Sequence, residues 1–138
     1  MPYISDEMRR QVEERAKGRC EYCQTQRAIV VSMQVDHVRP VADGGETILE
    51  NLCLACVSCN GSKLDAQSAV DPETGESVSL FNPRQQNWTD HFSWSDDKTE
   101  IIGLTAVGRA TVDRLRMNRE AIVEARKLWV QAGWHPAE

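Results

Sequence analysis

The sequence predicts an α+β domain with a ββα centre held together by four cysteines, and three observations carry that reading. Two Cys-x-x-Cys pairs, Cys20 to Cys23 and Cys56 to Cys59, frame the middle of the chain. Between them the run from Ala28 to Val35 is β-branched and apolar at Ile29, Val30, Val31 and Val35, and it ends at Asp36 and His37 as a strand would. After the second pair a helix is expected from about Asn60 to Ala66.

The remaining elements follow in chain order. Ser5 ahead of Asp6 and Glu7, with Gly18 after Lys17, reads as a capped first helix with acids in its first turn. Val38 to Val41 either pairs back on the first strand or enters a loop, because Asp43-Gly44-Gly45 is a turn signal. A short helical turn is expected from Thr47 to Leu52, completing the ββα outline. Residues 67 to 87 contain Asp71-Pro72, Thr74-Gly75 and Asn82-Pro83, breakers that read as a long surface connection. Trp88 to Leu104 reads as a hairpin around Asp96-Asp97. Thr105 and Asn118 are N-cap candidates for two closing helices, the second carrying Ala121, Ile122, Ala125, Leu128, Trp129 and Ala132 as a core-facing stripe that Gly133 ends. At 138 residues the chain fits one domain, with the N-terminal helix and cysteine-framed core at 1–66 and a C-terminal extension at 67–138 packed on the same unit.

Composition narrows the class. No apolar run approaches the roughly 18 to 20 residues of a membrane span, and the N-terminus has no apolar segment behind a basic start. A soluble, cytoplasmic protein without a membrane partner is the expectation. The net charge of −5 and pI near 5.2 weigh against a module that binds nucleic acid by charge alone. Basic residues nevertheless cluster locally, at Arg9, Arg10, Arg15, Lys17 and Arg19 and at Arg109, Arg114, Arg116, Arg119, Arg126 and Lys127. They form either one positive face or ordinary solvated helix surfaces paired with Glu14, Asp113 and Glu124.

Five cysteines without an export signal favour metal binding over disulfides. Each Cys-x-x-Cys places two thiolates on one tight turn, and two such pairs complete a tetrahedral zinc site with sulfurs about 2.3 Å from the ion. Such a closed site has no position for water, so the zinc is structural. Redox use and unconnected buried cysteines are the competing readings. Cys53 is left over as a small apolar filler.

Within this frame lie Asp36-His37-Val38-Arg39-Pro40, Gly44-Gly45, Asn51-Leu52 and Cys59-Asn60 with Lys63 three residues on. Phosphodiester hydrolysis needs a water deprotonated near neutral pH and an ion to neutralise developing charge. His37, with an intrinsic pKa near 6.5, suits a general base. Asp36, next to it on a strand, either projects to the opposite side or is turned by a bulge toward a metal. The order and spacing of these elements between residues 20 and 63 resemble the HNH nuclease family.

That resemblance implies a ββα-metal (His-Me finger) core, DNA as substrate, and water attack leaving 5′-phosphate and 3′-hydroxyl ends. It implies His37 as the base, Asp36 and Asn60 as ligands of one catalytic divalent ion, and Asn51 as a scaffold amide that steadies the loop carrying the base. Asn60 stands where many members carry histidine, which makes this an HNN variant. Because an amide oxygen is a harder ligand than imidazole, Mg²⁺ or Mn²⁺ is expected over Ni²⁺. Arg39 and Lys63 are candidates for phosphate contact or are solvated surface residues. One such site cuts one strand at a time, and a monomer or weak homodimer is expected.

The segment Asn82-Pro83-Arg84, Trp88, His91-Phe92-Ser93-Trp94 and Gly103-Leu104-Thr105 resembles, more loosely, the extension after the HNH core in small bacterial and phage-type proteins. Trp88, Trp94, Trp129 and Trp134 are expected to pack the closing helices against the hairpin, with base stacking as the alternative. His91 is a weaker candidate for a second catalytic group. The alternative function is a non-catalytic zinc-ribbon module that binds nucleic acid. A zinc-bearing interaction or redox domain leaves the Asp-His and Asn-Leu elements unaccounted for.

Overall fold

A computed structural model describes residues 3–30 and 32–137 of the chain. Helix α1 spans Asp6–Ala16, and the Ser5 hydroxyl accepts the Met8 N–H at 3.1 Å, supplying a partner to one of the donors a helix start leaves open. Lys17 ends it in the left-handed region at φ 56°, with its own N–H and that of Gly18 turned back onto Glu14 and Glu13 carbonyls. Both ends lie where the sequence puts them.

The expected strand from Ala28 does not form over its first half. Arg27–Val30 is a single helical turn, α2, whose entry is fixed by Arg27 donating to the Gly18 carbonyl at 2.7 Å, and strand β1 begins only at Met33–His37. Val31 lies outside the described residues. The helical turn expected over Thr47 to Leu52 shrinks to a 3-10 turn, Leu49–Asn51, and Leu52–Cys56 is strand β2. The two strands pair antiparallel in the register Asp36 opposite Cys53 and His37 opposite Leu52.

Side chains alternate across this sheet. Leu52 and Leu54, with Met33 and Val35, face α1 and its Val12, which is fully buried. Cys53 and Ala55 face the larger core, made with Tyr22, Phe81, Phe92, Ile101, Leu115 and Met117. Buried residues from either side of position 66 therefore share one cluster. Helix α3 spans Val57–Lys63, starting and ending three residues earlier than expected because the Cys56 sulfur serves as its N-cap, accepting from Cys59 N–H at 3.4 Å.

The expected surface connection after residue 66 is partly ordered sheet. Ser68–Val70 (β3) and Ser77–Ser79 (β4) pair antiparallel, closed by a turn in which Asp71 accepts from the Glu73 N–H and the Thr74 hydroxyl, both at 3.0 Å. A short helix α4, Trp88–His91, leads into the expected hairpin of β5, Phe92–Trp94, and β6, Ile101–Gly103. Thr105 caps α5, Ala106–Arg114, by accepting the Gly108 N–H at 3.0 Å.

Asn118 is not the cap of the last helix, α6 at Glu120–Gln131; Arg119 holds that position without a side-chain bond. The Asn118 amide is instead committed to the Ile101 backbone, accepting its N–H and donating to its carbonyl, each at 2.8 Å. Nor is the α6 stripe a core seam. Ile122 is buried, but Leu128 is 66% exposed and Arg126 is the residue that points inward. Among the tryptophans, Trp88 and Trp94 pack on the main core while Trp134 is 59% exposed. Among the described residues no helix is long and apolar enough to cross a membrane.

Candidate functional site

The two Cys-x-x-Cys turns meet at the base of the β1–β2 sheet. Sulfurs of Cys20, Cys23, Cys56 and Cys59 lie within 4.8 Å of one another, all buried and none in a disulfide. Cys23 and Cys56 sulfurs are 3.7 Å apart, close to the edge of about 3.8 Å in a tetrahedron with sulfurs 2.3 Å from its centre. Within each turn the N–H of the second cysteine points at the sulfur of the first at 3.4 Å, stabilising thiolate charge. The Thr25 hydroxyl lies 3.1 Å from Cys23 Sγ. Hydrogen bonds from neighbouring sulfurs, that of Cys20 foremost, hold the Cys23 thiol well below its usual range. Four convergent thiolates fit zinc, and they are placed to hold it as a structural metal.

Cys53 takes no part in this cluster. Its sulfur contacts the Tyr22 hydroxyl at 3.6 Å, and burial pushes the thiol up to about 12, so it stays protonated as the filler the sequence suggests.

The Asp-His pair sits at the far end of β1. His37 is half-buried with Nε2 2.9 Å from the Thr47 hydroxyl. Asp36 is on the other face of the strand, with Gln34, under helix α3. Its side chain is only 13% exposed, and Lys63, at 3% the more buried partner, brings its ammonium to 3.1 Å from Oδ2. That approach is an ion pair without hydrogen-bond alignment, and it is the Lys63 ammonium that compensates Oδ2. Burial raises the Asp36 pKa, with the Lys63 charge opposing the rise. A buried, donor-less carboxylate oxygen is costly unless a cation satisfies it.

Asn60 is one turn before Lys63 on α3, and its amide nitrogen donates to Gln34 Oε1. Gln34 is thus a residue that sequence reasoning missed, although its place two before Asp36 on a strand puts both on one face. Thr47 was missed likewise. Asn51 makes a three-bond clamp: Oδ1 accepts the Arg39 N–H at 2.8 Å, and Nδ2 donates to the carbonyls of Arg39 at 3.0 Å and Glu46 at 2.8 Å. Gly44 turns this loop at φ 86°, and a Cβ on Gly45 would collide with the Arg39 carbonyl, so both glycines are needed for the loop to close.

The two phosphate candidates separate. Arg39 is exposed and loosely paired with Asp43, whereas Lys63 is buried against Asp36 and is not a solvated surface residue. Both line a cleft of about 630 Å³ whose other wall comes from the extension at Ser79 to Gln86. His91 lies in the extension, bonded through Nδ1 to Thr105 at 2.7 Å. Several clustered cations are engaged internally: Arg10 with Glu7 and Glu14, Arg15 with the Leu49 and Leu52 carbonyls, Arg109 with Asp71, and Lys127 with Glu124.

In comparison with known proteins, the family model described as HNH endonuclease matches residues 20–65, from the first zinc-site cysteine to just beyond Lys63. No curated protein matches the chain, and no solved structure does. Over the paired cysteine turns, the Asp-His strand and the Asn60 helix, residues 20–65, the chain is therefore similar to the HNH endonuclease family.

Proposed function

We propose that this chain is a metal-dependent endonuclease that hydrolyses DNA phosphodiester bonds on a ββα-metal core, with residues 67–138 packed on it as part of one domain. The observation that carries the reading is the buried Asp36 carboxylate, already compensated by a cation, the Lys63 ammonium at 3.1 Å from Oδ2, adjacent in sequence to His37 and lying beneath the helix that bears Asn60. Asp36 and Asn60 would hold one Mg²⁺ or Mn²⁺; with Asn60 Nδ2 committed to Gln34, its Oδ1 is the atom left for a cation. Bound there, the ion would supply Lewis-acid stabilisation of the negative charge that develops during cleavage.

The chain's own groups do the proton work. His37 Nε2 is engaged by the Thr47 hydroxyl at 2.9 Å; in the tautomer that donates this Nε2–H, Nδ1 would present the lone pair that takes a proton from the attacking water. Asn51 holds the loop that follows His37 by both polar groups of Arg39, limiting the drift of the base. Exposed Arg39 is available to a phosphate. Inversion at phosphorus then leaves 5′-phosphate and 3′-hydroxyl ends. The zinc fixes the scaffold and takes no part in the reaction.

The test is supercoiled plasmid with wild type and His37→Ala in Mg²⁺, in Mn²⁺ and in excess EDTA, both proteins verified to carry one zinc. Conversion to nicked or linear DNA only by the wild type, and only with added metal, is the expected result. Equal cutting by both proteins removes His37 from the mechanism. DNA binding without cutting by either makes the chain a non-catalytic zinc-ribbon module.

A further inference from the structure

Lys63 is an unusual neighbour for a cation site. Its ammonium is almost fully buried, 3.1 Å from Asp36 Oδ2 and 3.4 Å from the His37 carbonyl, on the face of β1 where a divalent ion would have to sit. Two cations at one carboxylate repel strongly in a partly buried setting. The lysine also belongs to a second environment, because it lines the cleft shared by Val38, Arg39, Asn51, Gln67 and Gln85. A flexible four-carbon stem lets a lysine ammonium move between neighbouring anions as an arginine fork cannot.

We infer that Lys63 is a built-in counter-ion holding the Asp36 site in the absence of metal, and that the site binds its divalent ion tightly only together with a nucleic-acid phosphate in the adjoining cleft, onto which Lys63 transfers. This rests on the reading of Asp36 as a cation ligand. The exchange balances charge: the divalent ion replaces the ammonium at Asp36, and the ammonium takes the phosphate oxygen as its new partner. Metal and substrate then raise each other's affinity by the same factor, as linkage requires. A free site would hold little metal at cellular concentrations, which restrains metal-driven chemistry until a strand is present.

The experiment measures Mn²⁺ binding by loss of its free electron-spin-resonance signal, using the zinc-loaded chain with and without a hydrolysis-resistant phosphorothioate DNA duplex, each value taken after subtracting the Mn²⁺ that the duplex alone binds. Wild type is expected to bind Mn²⁺ weakly alone and about tenfold or more tightly with the duplex. Lys63→Met is expected to bind Mn²⁺ about tenfold more tightly without DNA and to lose most of the coupling. Asp36→Asn is expected to lose the site in either state. If Lys63→Met leaves metal-only affinity unchanged while Asp36→Asn abolishes it, the counter-ion role is overturned and the Asp36 site stands. If Asp36→Asn leaves Mn²⁺ binding unchanged, the cation-site reading itself fails, and this inference with it. Should Lys63→Met not retain zinc, the wild-type comparison decides: equal Mn²⁺ affinity with and without the duplex overturns the proposal.

Discussion

The guanidinium of Arg109 grips the Asp71 carboxylate with two bonds, Nε to Oδ1 at 3.0 Å and Nη2 to Oδ2 at 2.8 Å. Asp71 has no exposed surface, and its oxygens also close the β3–β4 turn, so one side chain joins that hairpin to α5. Asp71→Asn keeps the volume but loses the charge. Its melting temperature is expected to fall by roughly 5 °C, a size typical of removing a buried charge-assisted pair from a chain of this length. An unchanged melting temperature in calorimetry would mean that the hairpin contributes nothing to the cooperative unit.

The same pair sets a pH dependence. Arg109 holds the Asp71 pKa well below the usual carboxylate range. A depressed folded-state pKa contributes stability that is complete above the unfolded value of about 3.9 and fades as pH falls through the folded value. The gap in melting temperature between wild type and Asp71→Asn is therefore expected to be constant from pH 5 to 7 and to narrow below about pH 4. A gap that widened with acid would contradict the assignment.

How much of this was legible in advance depends on where each signal is local. The α1 caps, the paired cysteine turns and the Thr105 cap are short-range patterns, and they appear where the sequence puts them. Strand β2 was hidden because Leu52 to Cys56 is buried on both faces, which erases the alternation that marks a strand. The start of α3 was hidden because a metal-site cysteine occupies the cap. The β3–β4 hairpin has strands of three residues, too short to show a period, and depends on the distant Arg109. In α6, counting apolar residues overlooked that Arg126 could be the buried one. The Lys63–Asp36 pair joins residues whose approach only the packing of α3 on β1 reveals.

Arg126 itself makes a strong test of α6. It is 1% exposed, donates to the Thr99 and Met117 carbonyls at 2.9 and 2.7 Å and to Asn118 Oδ1 at 3.2 Å, and lies 5.3 Å from the Trp94 ring centre. Arg126→Ala leaves those acceptors unpaired and is expected to cost about 3 kcal/mol in denaturant unfolding. Lysine should restore only part of it, because one ammonium cannot reach acceptors arranged around a planar fork. Full rescue by Arg126→Lys would reduce the role to charge alone.

Removing the zinc should be more severe. The four sulfurs sit inside the main core cluster, so losing the ion leaves mutually repelling or newly protonated thiols at its centre. A strong chelator is expected to abolish near-ultraviolet circular dichroism along with one equivalent of zinc, and Cys23→Ser to lower bound zinc in purified protein. Retention of the folded spectrum in fully metal-free protein would show that the core closes without it.

Asn60 offers the sharpest separation of metal chemistry from scaffold. Under the proposed assignment its amide takes the place of an imidazole that would favour borderline ions, and its nitrogen donates to Gln34 Oε1 from the short helix α3. On the proposed assignment, Asn60→His would replace a hard oxygen donor with a nitrogen that prefers later transition metals. Wild type is expected to cut plasmid in Mg²⁺ or Mn²⁺ and poorly in Ni²⁺, while Asn60→His gains activity in Ni²⁺ by about tenfold relative to Mg²⁺. Gln34→Ala frees the amide to rotate, so it should weaken Mn²⁺ binding without altering the order of metals, whereas a change in that order would place Gln34 among the ligands. If Asn60→His leaves the metal order as in the wild type, Asn60 does not touch the ion, and the second ligand to Asp36 is another group.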